Sequence, residues 1–328
     1  RHKDNKSLYY WKITVADGLN HQTSHTRPSK NRFGDDSAAQ WVRGAHGTDR
    51  NPLRPTGGRS GPLGPAGLAG PMKNRRLYFE QPFACNVREE PLPEAREDQL
   101  LVRTTCSAIS AGTEMLVFQG RFPAGMTLDA TLPSLAGQPF AYPLAYGYSS
   151  VGTVVAAGPL AAPAWVGARV FAFQPHQSHF CAEVDVLQPI PDDIDVHTAL
   201  FLASMETGVN LLLDGRPLIG EQVVVFGQGI IGLLTTALLA RFPLAGLITV
   251  ESSANRRLAS KQWGATESYA PDDEELMRAL GAVAGQGGEA DLIFELSGNP
   301  EAVSTALALA RFSGRLVIGS WYGRKSVE

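Results

Sequence analysis

At 328 residues the chain is long enough for two domains of ordinary size and for a cleft between two buried cores. Hydrophobic residues make up 44%, charged residues 19% and the net charge is -3, a balance without the basic excess that nucleic-acid partners require. No stretch of about 18 uninterrupted apolar residues occurs and no charged-then-apolar signal pattern opens the chain, so membrane insertion is not expected and the cytosol is the expected compartment.

In chain order, residues 1 to 71 read differently from the rest. They carry eleven Lys/Arg against five Asp/Glu, and 51 to 71 is a Pro/Gly tract, so a disordered or spurious extension ahead of a true start at Met72 is expected. From Met72 to about residue 200 strand-like runs (RRLYFE, QLLVRTTCSAIS, GYSSVGTVVAAG, ARVFAFQP) alternate with Pro and Gly clusters, which predicts a mostly β domain over 72–200. The pattern turns helical in DIDVHTALFLASMETGVNLLL. From 222 onward apolar strands alternate with amphipathic helices, so 201–328 is expected to be a doubly wound parallel sheet and the chain to be of α/β class. Strands are placed at 223–227, 247–251, 291–298 and 315–320, with a short one near Ser268 to Ala270. Cys85, Cys106 and Cys181 are odd in number and scattered, which predicts reduced thiols rather than a disulfide framework or a four-cysteine zinc lobe.

The segment GQGIIG directly follows the apolar run VVVF and leads into the helical IIGLLTTALLARF. In that context Gly227 is expected to make the tight turn, Gly229 to admit a pyrophosphate close to the backbone of Ile230 and Ile231, and Gly232 to let helix pack on strand. Glu251 ends the next strand, at the position of a carboxylate that accepts hydrogen bonds from the adenosine ribose. A carboxylate there repels a 2′-phosphate, so NAD is preferred; Arg256 and Arg257 follow closely and leave NADP open.

The order of parts, a β-rich domain and then a dinucleotide domain, resembles the medium-chain, zinc-type alcohol dehydrogenase superfamily from about residue 73 to the end. LLVRTTCSAISAGTE, PLAYGYSSVGTVVAAG, VGARVFAF, METG and GQGIIG with VESSANRR carry the resemblance. It implies a GroES-like substrate domain followed by a Rossmann domain. Zinc-dependent members hold the metal with Cys in a GICGTD-like turn, with a GHE-x-x-G segment and with a third ligand before the dinucleotide domain. Here the first turn reads Ala108 to Glu114 (AISAGTE), the second Gly147 to Gly152 (GYSSVG) and the third Ala203 to Gly208 (ASMETG). Serine, tyrosine and alanine do not hold Zn²⁺, so no metal is expected. ISAGTE and YPLAYGYSSVG are most similar to a zinc-lacking branch that includes hydroxyethyl bacteriochlorophyllide a dehydrogenase. The superfamily pattern also leads one to expect a last sheet strand and a returning segment after RLVIGSWYGRKSVE, so an incomplete chain is expected.

Without zinc, hydroxyl and imidazole donors must stabilise or protonate the reacting oxygen. Tyr148 and Ser149 stand where the resemblance puts the His-Glu pair, and His176 in FQPHQSHF is a candidate general acid, ahead of His179; ordinary strand packing or a solvated loop histidine is the alternative. By resemblance the helix with Glu206 and Thr207 passes near the nicotinamide, where Thr207 bonds the ring or its ribose. Glu114 is expected only to position its loop. The turns Ser297-Gly298-Asn299 and Gly319-Ser320-Trp321 close strands at the edge where dinucleotides bind, with Ser297 as a cofactor contact. The expected function is zinc-independent alcohol/ketone hydride transfer on a bulky or apolar small-molecule substrate; an NADPH-dependent enone or quinone reductase and a non-catalytic redox sensor are the alternatives, and self-association is left open.

Overall fold

The computed structural model describes residues 11–14, 72–123, 125–128, 132, 134–281 and 289–322. Strand β1 (Trp11–Thr14) is a short edge strand, taken up below. A hairpin of β2 (Lys73–Gln81) and β3 (Ala84–Pro91) precedes a five-stranded antiparallel sheet of β4 (Gln99–Ser107), β5 (Ser150–Ala157), β6 (Arg169–Ala172), β7 (His179–Glu183) and β8 (Gln188–Pro189), in the order β7-β4-β5-β6-β8. Leu100, Val102, Val154, Val170 and Phe180 point into one buried core of this sheet. After β4 a single turn of helix, α1 (Thr113–Phe118), carries Leu116 and Val117 inward. Val117 then joins a second, aromatic-rich core with Phe79, Phe122, Phe140 and Tyr146. Ser107 at the end of β4 pairs in register with Ser150 at the start of β5. That pairing brings the loop 107–114 beside the segment 147–150, two stretches about forty residues apart in sequence.

The chain then enters α2 (Val196–Ala199), whose amides at His197 and Thr198 are accepted by the Asp195 carboxylate at 2.6 and 3.2 Å, and α3 (Leu202–Gly215). The remaining elements alternate: β9 (Gln222–Phe226), α4 (Ile230–Leu239), β10 (Gly246–Val250), α5 (Ala254–Gln262), β11 (Glu267–Tyr269), α6 (Glu274–Ala279), β12 (Ala290–Glu295), α7 (Glu301–Leu309) and β13 (Ala310–Ile318). The sheet runs β1-β13-β12-β9-β10-β11, with β9 to β13 mutually parallel. The near-continuous apolar strands are explained by burial on both faces. Val224, Phe226, Ile248 and Ile293 meet Leu276, Val303 and Leu309 of α6 and α7, whereas Val223, Val225, Leu247 and Phe294 meet Leu211 and Leu239 of α3 and α4. Each such buried leucine contributes about 1.5–3 kcal/mol relative to exposure.

The expected α/β architecture is therefore observed, a mostly β first part and a parallel sheet covered by helices on both faces. Three details differ from expectation. The strand placed at 291–298 stops at Glu295, because the Glu295 carboxylate accepts the Ser297 amide at 2.7 Å and turns the chain. The helical run after 194 is two helices, parted at Leu200 and Phe201, where the Leu200 carbonyl accepts a side-chain hydroxyl in place of a helical amide. Finally, β1 lies within the stretch expected to be unstructured and pairs antiparallel with β13, Trp11 opposite Ile318 and Thr14 opposite Arg315, which supplies a backbone partner to the edge of the sheet. The rest of 1–71, with its Pro/Gly tract, and residues 323–328 lie outside the described residues. No helix among the described residues is long and apolar enough to cross a membrane.

Candidate active site

The turn after β9 is built by three glycines that do three different things. Gly227 has φ +82°, and a Cβ there would lie 2.6 Å from the Cα of Ser297, so both conformation and space exclude a side chain. At Gly232 a Cβ would lie 1.9 Å from the carbonyl oxygen of Gly227, which is the close approach of helix to turn that the spacing predicts. Gly229 is the N-cap of α4, extended and without a side-chain cap, and a Cβ there would meet nothing within 4 Å. Its lack of a side chain is thus not needed for packing; it leaves the helix end open. The first-turn amides of Ile230, Ile231 and Gly232 have no partner within the helix, and with the helix dipole they make an anion site of the size of a phosphate group.

Gln228, which sequence reading passed over, braces this turn. It is fully buried; its amide donates to Glu251 Oε2 at 2.7 Å, its side-chain Nε2 to the Gly227 carbonyl at 3.0 Å, and its Oε1 accepts the Thr236 hydroxyl at 3.0 Å. Glu251 sits where it was expected, directly after β10. Its Oε1 accepts the Ser253 amide at 2.9 Å and the Ser252 hydroxyl at 3.1 Å, and Arg256 Nη1 stands 3.8 Å from Oε2. Burial alone would raise its carboxyl; the Ser253 and Gln228 amides, the Ser252 hydroxyl and Arg256 outweigh that and hold it below the ordinary glutamate range. Arg257 turns away from the carboxylate and donates to the carbonyls of Glu251 and Ser252, each at 2.7 Å.

The two later turns meet beside Gly227. Gly298 donates its amide to Ser320 Oγ at 2.9 Å, and Asn299 donates to Ser297 Oγ at 3.0 Å. Beneath them lies Glu295, fully buried, accepting from Ser297 and from the Tyr322 hydroxyl, whose phenol burial and this carboxylate push far up. Sequence reading had no signal for Glu295, a lone acidic residue in an apolar strand.

In the β-rich half, Tyr148 is half-buried with its hydroxyl 3.4 Å from Thr113 Oγ1. Burial raises its phenol, the Ser110 and Thr113 hydroxyls work the other way and the Glu114 charge adds to the rise, so it is a neutral donor at physiological pH. Ser149 departs from expectation: its hydroxyl donates to the Leu200 carbonyl at 2.7 Å, tying β5 to the break between α2 and α3, and so is not turned to a substrate. Thr207 likewise donates to the Ala203 carbonyl one turn back at 3.1 Å rather than standing free for a nicotinamide. His176 is not a solvated loop residue. It is 8% exposed, with Nδ1 2.8 Å from Ser107 Oγ and Nε2 2.8 Å from Glu114 Oε2. Gly147, at φ +125°, lies flat against that ring; a Cβ there would be 2.9 Å from it. Glu114, expected only to position its loop, is 2% exposed, and its Oε1 accepts the Ser110 amide at 2.8 Å. His179 is buried on β7, its amide held by Asn74 Oδ1 at 3.0 Å and its ring pushed down by burial and by Arg103, away from this cluster.

This arrangement has relatives. The family described as zinc-binding dehydrogenase matches residues 231–327. The L-threonine 3-dehydrogenase of Bacillus subtilis (strain 168) is 24% identical over 268 residues, covering 72% of each chain. Among solved structures, an Escherichia coli CFT073 alcohol dehydrogenase complexed with NADH superposes with a TM-score of 0.59 at 17% identity, over 73% of each chain. A Sinorhizobium meliloti 1021 protein described as a zinc-binding dehydrogenase, bound to NADP, superposes with a TM-score of 0.61 at 24% identity, over 78% of this chain and 80% of its own. Residues 231–327 thus match the zinc-binding dehydrogenase family, and over nearly three quarters of its length the chain is similar to medium-chain, zinc-type alcohol dehydrogenase-like proteins. The fold shared with the solved structures is a GroES-like part followed by a Rossmann part.

The superfamily brings two groups to be tested against these residues. A nicotinamide dinucleotide fits: the open N-terminus of α4, the space at Gly229 and the carboxylate of Glu251 supply a pyrophosphate cradle and a ribose acceptor. Zinc does not fit. The superfamily's ligand positions carry serine, tyrosine and alanine, of which the Ser149 hydroxyl is committed to a backbone carbonyl, and among the described residues no three His, Cys, Asp or Glu side chains gather as a metal shell.

Proposed function

We propose that this chain is a member of the superfamily that interconverts a secondary alcohol and a ketone without zinc, with NAD(H) as the preferred dinucleotide, and that it belongs to the branch resembling hydroxyethyl bacteriochlorophyllide a dehydrogenase. The observation that carries the reading is Tyr148, a neutral, half-buried phenol held against Thr113 at the place where the superfamily keeps its metal shell. A bound nicotinamide supplies the hydride acceptor or donor. Tyr148 donates a hydrogen bond to the substrate oxygen and so favours the developing alkoxide. The backbone of Ile230, Ile231 and Gly232 holds the pyrophosphate, and Glu251 accepts from the ribose and repels a 2′-phosphate. Three free cysteines are consistent with the cytosol as compartment.

The test is a titration of the protein with NADH and with NADPH, followed by turnover of a panel of bulky secondary alcohols and ketones. Tighter NADH binding with alcohol turnover supports the proposal; binding of neither nucleotide removes it. A second reading, an enone or quinone reductase using NADPH, is favoured by Arg256, whose guanidinium stands beside Glu251 where a 2′-phosphate would lie. NADPH preference with quinone but not alcohol turnover would select it, and binding without any turnover would leave a redox sensor.

A further inference from the structure

Tyr148 can donate to a substrate oxygen but, as a phenol raised by burial, it is a poor acceptor of the proton that an alcohol must lose. A base is needed, and the structure holds one that no motif announces. Ser107 Oγ, the His176 ring and the Glu114 carboxylate form a continuous chain, with both links 2.8 Å long. Ser107 is half-buried, at the inner end of β4, whereas the ring and the carboxylate behind it are almost wholly enclosed. The proton positions follow from the partners. Both Glu114 oxygens are engaged, Oε1 accepting the Ser110 amide and Oε2 lying 2.8 Å from His176 Nε2, a setting that suits an ionised carboxylate. With the ring neutral and Glu114 ionised, the state the relay needs at rest, Nε2 carries the hydrogen, Nδ1 is bare, and Ser107 donates its hydroxyl hydrogen to Nδ1. At Gly147 a Cβ would lie 2.9 Å from ring atoms of His176, so only glycine lets the backbone pack this closely against the ring.

We propose that Ser107, His176 and Glu114 are the proton relay of the reaction, Ser107 touching the substrate hydroxyl, His176 acting as base and Glu114 as a positioning residue. The inference rests on the alcohol/ketone reading above. As the alcohol carbon gives its hydride to the dinucleotide, its hydroxyl hydrogen passes to Ser107 Oγ and the hydrogen of Ser107 passes to Nδ1 of His176. The alcohol has then lost one hydride and one proton and become a ketone, Ser107 is unchanged, and the imidazolium is held by Glu114 until it returns the proton to solvent. The logic is that of a hydroxyl–imidazole–carboxylate triad, with the hydroxyl as a carrier of protons in place of a nucleophile. It explains why a carboxylate is enclosed here at all: an isolated buried carboxylate is costly, and one that stabilises a transient imidazolium has a use.

The first test needs neither cofactor nor substrate. The whole protein carries seven histidines, and ¹⁵N-histidine spectra at pH 8, with the His176 signals assigned by their loss in His176→Asn, are expected to show Nε2 protonated and Nδ1 bare but hydrogen-bonded. Ser107→Ala should shift the Nδ1 resonance towards an unbonded nitrogen, and Ser107→Thr, which keeps the hydroxyl, should restore it. In kinetics with NAD⁺ and the fastest alcohol of the panel, Ser107→Ala is expected to lower kcat by about 10²-fold or more with KM little changed, and Ser107→Thr to recover most of it. An Nδ1-protonated ring, or Ser107→Ala turning over as fast as the wild type, would overturn the relay. If the wild type oxidises no alcohol on the panel, the reaction and the relay's step fall together. A ring with the expected tautomer would then place the failure in the proposed function and not in the geometry.

Discussion

The dinucleotide turn and the hydroxyl–imidazole cluster lie in one chain but are held together in opposite ways. Around Gly227 to Gly232 the decisive contacts are made by backbone atoms, Gly232 against the Gly227 carbonyl five positions back and Gly227 against Ser297, and the braces from Gln228 and Glu251 come from the ends of adjacent strands of one β-α-β unit. Around His176 they are made by side chains 69 and 62 positions away, and by Ser149 reaching 51 positions to Leu200. Backbone geometry restricts residue type to glycine and so leaves a spaced motif. A side-chain cluster restricts only the pairings, which any one stretch of sequence conceals.

That contrast can be broken at its stiffest point first. Gly232→Ala would put a methyl group 1.9 Å from a carbonyl oxygen, and is expected to destabilise the fold by about 3 kcal/mol or more and to abolish NADH binding, as read by thermal unfolding and by titration. In the other half, Tyr148→Phe keeps the ring and removes the donor; kcat should fall about 10²-fold while the melting temperature barely moves. Its neighbour is the control: Ser149→Ala should leave kcat nearly intact and lower stability by about 1 kcal/mol, the worth of one hydrogen bond to a buried carbonyl. Gly229→Ala sharpens the cofactor side, since a methyl group there touches no protein atom: the fold should be unchanged and NADH affinity should fall about tenfold, or 1.4 kcal/mol. Equal unfolding by the alanine variants of Gly229 and Gly232 would remove the separate roles assigned to them. The smallest effect is an acid one. Glu251 is held below the ordinary glutamate range, so its contribution to stability is present above that range and is lost as pH falls through the lowered value. Glu251→Gln should therefore flatten the acid limb of a melting-temperature profile and leave the neutral region less changed.

Much of the architecture was legible in the sequence because period carries it. Alternating apolar strands and helices located β9, β10, β12 and β13, and GQGIIG located the turn. What escaped was chemistry set by partners. Ser149 and Thr207 were read as free donors by their positions, and each donates to a carbonyl that only the folded chain brings to it. Glu114 was given a loop-positioning part and Ser107 none, although the two flank the same ring. Glu295 and Gln228 had no signal, being single polar residues whose function is to satisfy a turn. The antiparallel edge strand at Trp11–Thr14 escaped because its strand-like run, LYYWKITVA, stands in a segment whose basic charge and Pro/Gly tract read as disordered overall.

In the proposed function an intact dinucleotide site serves a substrate half that works without metal. The most direct test is to measure metal content and nucleotide binding on one preparation, by elemental analysis of the purified protein and calorimetric titration with NADH before and after dialysis against a zinc chelator. The prediction is one equivalent of NADH per chain, bound equally well before and after dialysis, with no stoichiometric zinc at any stage. One tightly held zinc per chain, with turnover lost on its removal and recovered on its return, would contradict it.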